Sequence, residues 1–136
     1  MNKYILVLTV ALTLHDRPLA QTNQNLEGAP VIGWDSLKSL IVFPEIPRRA
    51  GVQGNARVDV QIDSAGNVTA TNVYADTLFI RCIDDVVKKV KWYPRYSKGK
   101  SYSTITRFHI LFQFKQRTYD FDPSLLIIEA DMPRMN

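Results

Sequence analysis

From Arg57 to Asp63 apolar and polar residues alternate without a break. Val58, Val60 and Ile62 fall on one side, and Arg57, Asp59, Gln61 and Asp63 on the other. A period of two predicts a strand with one wet face. The turn Ser64-Ala65-Gly66-Asn67 follows. Asp63 is placed to bond its backbone, and Gly66 supplies a positive φ, so a hairpin is predicted with Val68–Tyr74 as its second strand. Alternation there is less clean (Val68 and Ala70, then Thr71 and Val73), which predicts a bulge. The period then changes. Ile80, Ile83, Val86, Val87 and Val90 recur at three- and four-residue steps, an amphipathic helix that starts at Asp76-Thr77 and ends at Trp92-Tyr93-Pro94. Asp84 and Asp85 precede Lys88, Lys89 and Lys91, an order that suits the helix dipole and makes the lysine run a solvated helix end.

Ser97–Lys100 reads as a loop and Ser101–Phe114 as a long strand. Phe108, Ile110, Phe112 and Phe114 share one side of it, and Arg107, His109 and Gln113 the other. Two short helices are predicted upstream of the hairpin. Trp34–Ile41 carries Leu37, Leu40 and Ile41 at helical spacing, with Asp35 capping its first turn. Pro44 opens the second, which tolerates Pro47 near its start and stops on Gly51 in the left-handed conformation. The tail holds one apolar run, Ser124–Ile128, bounded by Pro123 and Pro133, and reads as a strand in preference to a short helix. The order helix, hairpin, helix, strand gives an α+β fold. We expect a three-stranded antiparallel sheet with helices packed on one face and an extra C-terminal strand or packing segment.

The first residues read differently. Lys3 precedes an apolar core, Tyr4–Leu14, and a polar region ending at Ala20, the pattern of a secretory signal peptide. The apolar core is about half of the ~20 residues a membrane-spanning helix needs, so an uncleaved anchor is the alternative. The expected organisation is a signal peptide over 1–20, a flexible leader over 21–33, a folded domain over 34–114 and a tail over 115–136.

Composition changes this picture little. A chain of 136 residues with a formal charge of +4 is one mildly basic domain. The basic residues form no stripe interleaved with stacking aromatics, which argues against nucleic acid. Cys82 is the single cysteine, so no intramolecular disulfide forms, and it reads as a small buried hydrophobe. His109 is the one histidine outside residues 1–20 and faces solvent, so no metal site is built from histidines, and no cofactor is expected. Catalysis is poorly supported. Adjacent Asp84 and Asp85 do not face each other on a helix. Ser97 and Ser101–Ser103 have no base other than His109. Gly51 and Gly54 are too closely spaced for a phosphate loop and precede a strand. A binding role, without enzymatic activity, is expected.

Several segments carry a resemblance. Phe43–Gly54, FPEIPRRAGVQG, resembles the opening of the TonB C-terminal domain family. The hairpin from Val58 to Val73, with its IDSAGNV turn, is similar to that family's hairpin. Val86–Pro94 followed by Lys98-Gly99-Lys100 resembles its helix end, tryptophan, proline and Gly-Lys loop. Trp34-Asp35-Ser36-Leu37 resembles the extra helix of versions from Bacteroidetes-type bacteria. The resemblance implies a periplasmic module that binds an extended segment of an outer-membrane TonB-dependent receptor, a TonB box, by adding it as a strand to the sheet edge. Mapped onto this chain, it implies partner contacts at Phe43, Pro44, Thr104, Thr106, Phe108 and Ile110. The alternatives are a membrane-anchored energy transducer that keeps its leader helix, and a self-pairing domain that dimerises or lays its own tail, Leu125–Ala130, on the free edge.

Overall fold

The computed structural model describes residues 26–116 and 125–134. The segment expected as a signal peptide lies outside them, as do residues 21–25 of the leader and 117–124 of the tail. Two short helices come first, α1 (Trp34–Leu40) and α2 (Glu45–Ala50). The hairpin β1 (Gly54–Ile62) and β2 (Val68–Tyr74) follows, then α3 (Thr77–Val87). A small hairpin, β3 (Arg95–Ser97) and β4 (Lys100–Tyr102), leads into β5 (Thr104–Phe114), and β6 (Leu126–Ala130) closes the order.

The fold is α+β, as expected, with a larger and mixed sheet. Its strand order is β2-β1-β5-β6. β1 is antiparallel to both β2 and β5. β6 is parallel to β5, pairing Ile110 with Leu126 through Phe114 with Ala130. The predicted bulge lies in the hairpin, where Gln61 pairs with Ala70 and Ile62 with Val68, leaving Thr69 as the extra residue. The long strand predicted from Ser101 is divided. Lys98 and Gly99 both have positive φ, 50° and 77°, and close a two-residue hairpin that takes Lys100–Tyr102 out of the main sheet.

The α1 cap also differs from expectation. Gly33 is the N-cap, and Asp35 lies inside the first turn without making a capping bond. Asp76 does cap α3, its Oδ1 accepting from the Leu78 amide at 3.0 Å. Gly51 stops α2 at φ 69°, ψ 29°. α3 ends at Val87, earlier than the apolar stripe suggested. The chain then turns so that Trp92, 1% exposed, packs back and donates from Nε1 to the Val87 carbonyl.

One face of the sheet is dry. Val58, Val60, Ile62, Phe108, Ile110, Phe112, Phe114 and Ile128 meet Leu37, Ile41, Phe79, Ile83, Val87 and Trp92 in a single cluster. Each fully buried side chain of this size contributes about 1.5–3 kcal/mol. Phe79 lies so close to Gly54 that a Cβ there would sit 2.5 Å from its ring. Glycine at the head of β1 is what lets helix and sheet approach.

Candidate functional site

The site implied by the resemblance is the edge of the last long strand, and the structure divides that edge in two. β5 pairs with β1 along its length, from Thr104–Ile62 to Phe112–Gly54. On its other side β6 covers Ile110–Phe114 and stops. Thr104–His109 make no backbone hydrogen bond on that side among the described residues. An open half-edge of about 20 Å results, at the strand rise of ~3.3 Å per residue. It is collinear with β6.

What holds this half-edge in register lies on the outer face. The Arg107 guanidinium donates two hydrogen bonds to the Asp59 carboxylate, from Nε at 2.7 Å and Nη2 at 3.1 Å. These bonds, with the charges of Arg107, Arg57 and His109, hold the Asp59 carboxyl below the usual carboxylate range. Arg57, directly opposite His109, stacks over the Tyr74 ring at 4.2 Å. Across β1 and β5, Gln61 pairs with Ile105, which is 67% exposed. Ile105 lines a shallow groove of about 610 Å³ with Gln61, Asp63, Thr69, Ser103 and Thr104. On the opposite face Trp34 is partly exposed and packs edge-on to Phe108 at 5.2 Å and to Trp92 at 5.9 Å. The open backbone therefore lies between an exposed isoleucine and an exposed tryptophan.

The six residues implied as partner contacts fall into two groups. Thr104 and Thr106 are on the open half-edge and partly exposed. Phe108 is also on it, but its ring is buried, so it offers backbone only. Ile110 is fully buried, and β6 already pairs with it. Phe43 is 6% exposed and packs against Phe79, Phe112 and Phe114 at 6.0, 5.6 and 5.1 Å. It is a core residue. Pro44 is partly exposed and lines an apolar groove with Ile46, Pro47, Leu78 and Cys82. Phe43 and Pro44 sit against the covered end of β5, away from Thr104 and Thr106.

Sequence reasoning passed over Trp34 and Ile105 as contact surface, and also the segment before α1. Gly28 donates to the Tyr93 carbonyl, Tyr93 to Ala29 and Val31 to Lys91, each at 2.9 Å. Gly28 thereby lies against the Thr106 side chain, 3.1 Å from where its Cβ would be. The leader's described part thus forms a wall beside the open half-edge. Its signal was the Gly28 and Gly33 pair around Pro30, which is turn chemistry.

Gln113, predicted on the wet face, is 1% exposed, and its amide finds no hydrogen-bond partner among the described residues. Cys82 is half-buried, and burial pushes its thiol up to about 11. No group of acidic, histidine and cysteine residues able to hold a metal occurs among the described residues, and no helix among them is long and apolar enough to cross a membrane.

Residues 40–114 match the family described as Gram-negative bacterial TonB protein C-terminal. The match runs from the end of α1 to the last residue of β5 and so contains the open half-edge. No curated protein matches the chain.

Proposed function

Because this chain belongs to the TonB C-terminal family, whose members are periplasmic protein-interaction domains serving transport, we propose that it binds an extended segment of an outer-membrane TonB-dependent receptor by strand addition at Thr104–His109. The reading is carried by the six-residue stretch of β5 with no backbone partner on its outward side among the described residues, next to a stretch of the same edge that β6 covers. Backbone hydrogen bonds supply affinity in such binding, and alternate side-chain positions supply selectivity. Here alternate partner side chains meet Ile105 and its groove on one face and Trp34 on the other. Thr104 and Thr106 are the partner-binding residues of this reading. Phe43 and Ile110 act by packing, and Phe108 by packing and backbone.

The self-pairing alternative is favoured by one observation, the tail strand lying on β5. It takes only Ile110–Phe114, with Ile128 in the core, so β6 completes the sheet and limits the partner to the open half.

The test uses synthetic receptor segments with backbone N-methylation. Strand addition uses the amides of alternate residues. Methylating that set abolishes binding, and methylating the intervening set leaves most of it. Equal tolerance of both sets contradicts strand addition.

A further inference from the structure

The β3–β4 hairpin has no part in the strand-addition reading, and nothing in the core explains it. Arg95, Tyr96, Ser97, Lys100, Ser101 and Tyr102 are all exposed, so neither face of the hairpin is covered. A two-stranded hairpin has little stability of its own in water. This one is rooted instead: Trp92 and Pro94 are buried at its base, and the Trp92 amide donates to the Gly66 carbonyl at 3.0 Å. Its turn is fixed by the two positive φ values at Lys98 and Gly99. Arg95 lies over the Tyr102 ring at 5.1 Å.

Its charge is one-sided. From Val86 to Lys115 the chain contains no aspartate or glutamate. Lys88 is neutralised by Asp84 at 2.7 Å, and Lys91 donates to Asn67. Lys89, Arg95, Lys98 and Lys100 have no ion pair among the described residues. Two acids lie at this end of the sheet: Asp63 accepts from the Ala65 and Asn67 amides and is offset by the charge of Lys91, and Glu27 accepts from Thr104. Tyr102, 40% exposed, shares a face with Arg95 and Lys100, and Tyr96, 36% exposed, lies on the other face with Ser101.

We propose that the β3–β4 hairpin, with Lys89 in the segment that leads into it, docks the domain on an anionic phospholipid surface. Lysine and arginine meet the headgroup phosphates, and Tyr102, on the same face as Arg95 and Lys100, takes the amphipathic position its ring favours at a membrane interface. A flat partner fits better than a polypeptide, because the face carrying Arg95, Lys100 and Tyr102 is open and offers no walls to grip a side chain. Docking there sets Ser103 and the open half-edge that follows it close to the bilayer.

Co-sedimentation with vesicles tests this, using phosphatidylcholine alone and phosphatidylcholine with about one-third phosphatidylglycerol. The protein is expected to bind the anionic vesicles and not the neutral ones, with binding lost in high salt. Each surface cation is worth about fivefold, so the triple variant K89Q/K98Q/K100Q should bind roughly 100-fold more weakly. The charge-matched control K38Q/R49Q/R81Q, on the helices, should bind nearly as well as the native protein. No vesicle binding, equal binding to both vesicle types, or equal loss in the two triple variants overturns the proposal. So does binding of polyglutamate without binding of vesicles, which would assign the hairpin to an acidic protein partner.

Discussion

The backbone of Leu126 pairs with that of Ile110, and at that pair the edge of β5 passes from open to closed. Beyond it Ile128, 5% exposed, lies beside Phe112 within the core. The tail strand is thus a structural part of the domain. Ile128→Ala is expected to cost about 2–4 kcal/mol, as for other buried isoleucines, whereas Glu129→Ala on the exposed side costs little. Urea unfolding of the two variants checks this. Equal stability of both would mean that β6 is only loosely laid on the edge.

Two glycines are held by close approach. Gly54→Ala places a Cβ 2.5 Å from the Phe79 ring and should destabilise by about 1–3 kcal/mol, the usual cost of overpacking. Gly66→Ala is expected to cost more. Its Cβ would meet the Trp92 carbonyl oxygen at 2.4 Å, a backbone atom that cannot rotate away, at a φ of 85°. Thermal melts should rank native protein above Gly54→Ala and Gly54→Ala above Gly66→Ala.

The Asp59–Arg107 pair predicts a pH dependence with a definite sign. The hydrogen bond from Arg107 is the largest cause of the lowered Asp59 pKa. A carboxylate with a folded pKa below its unfolded value, about 4, stabilises fully above the unfolded pKa and loses that contribution as pH falls through the folded one. The melting temperature of Asp59→Asn should therefore lie below that of the native protein at neutral pH, and the gap should narrow as the pH falls below the unfolded carboxylate value. A gap independent of pH would show that the pair does not carry the effect.

Cys82 should be slow to react. Burial raises its pKa from 9.0 to about 11, which leaves about 100-fold less thiolate near neutral pH than an unperturbed cysteine has. Iodoacetamide should label it far faster in denaturant than in the folded protein. Matching rates would place the thiol in solvent.

Much of the fold could be read from the sequence because its signals were local. β1 declared itself by strict alternation, the hairpin by Asp63 and Gly66, and α3 by its stripe. Alternation along β5 correctly put Phe108, Ile110, Phe112 and Phe114 on the dry face. It assigns faces, however, and says nothing about neighbours. Whether an edge is open depends on which strand returns beside it, and β6 returns parallel to β5, across a connection that no turn motif announces. That is why Ile110 and Thr104, assigned to one contact strip, have opposite surroundings. Phe43 is ambiguous for a related reason. An aromatic before a proline-led helix suits a surface groove or a core equally, and packing against Phe112 and Phe114 decides for the core. The β3–β4 hairpin has no apolar face to reveal it. Its cue was Lys98-Gly99, which fits a loop as readily as a tight turn.

The central claim is that a receptor segment adds as a strand to Thr104–His109. Amide chemical shifts measured during titration with such a peptide test it most directly. The account predicts that the largest changes run contiguously through Thr104–His109, with smaller ones at Trp34 and Ile105's neighbour Gln61, and leave Leu126–Ala130 nearly still. Changes centred on Pro44 and α2, or none at millimolar peptide, would contradict it.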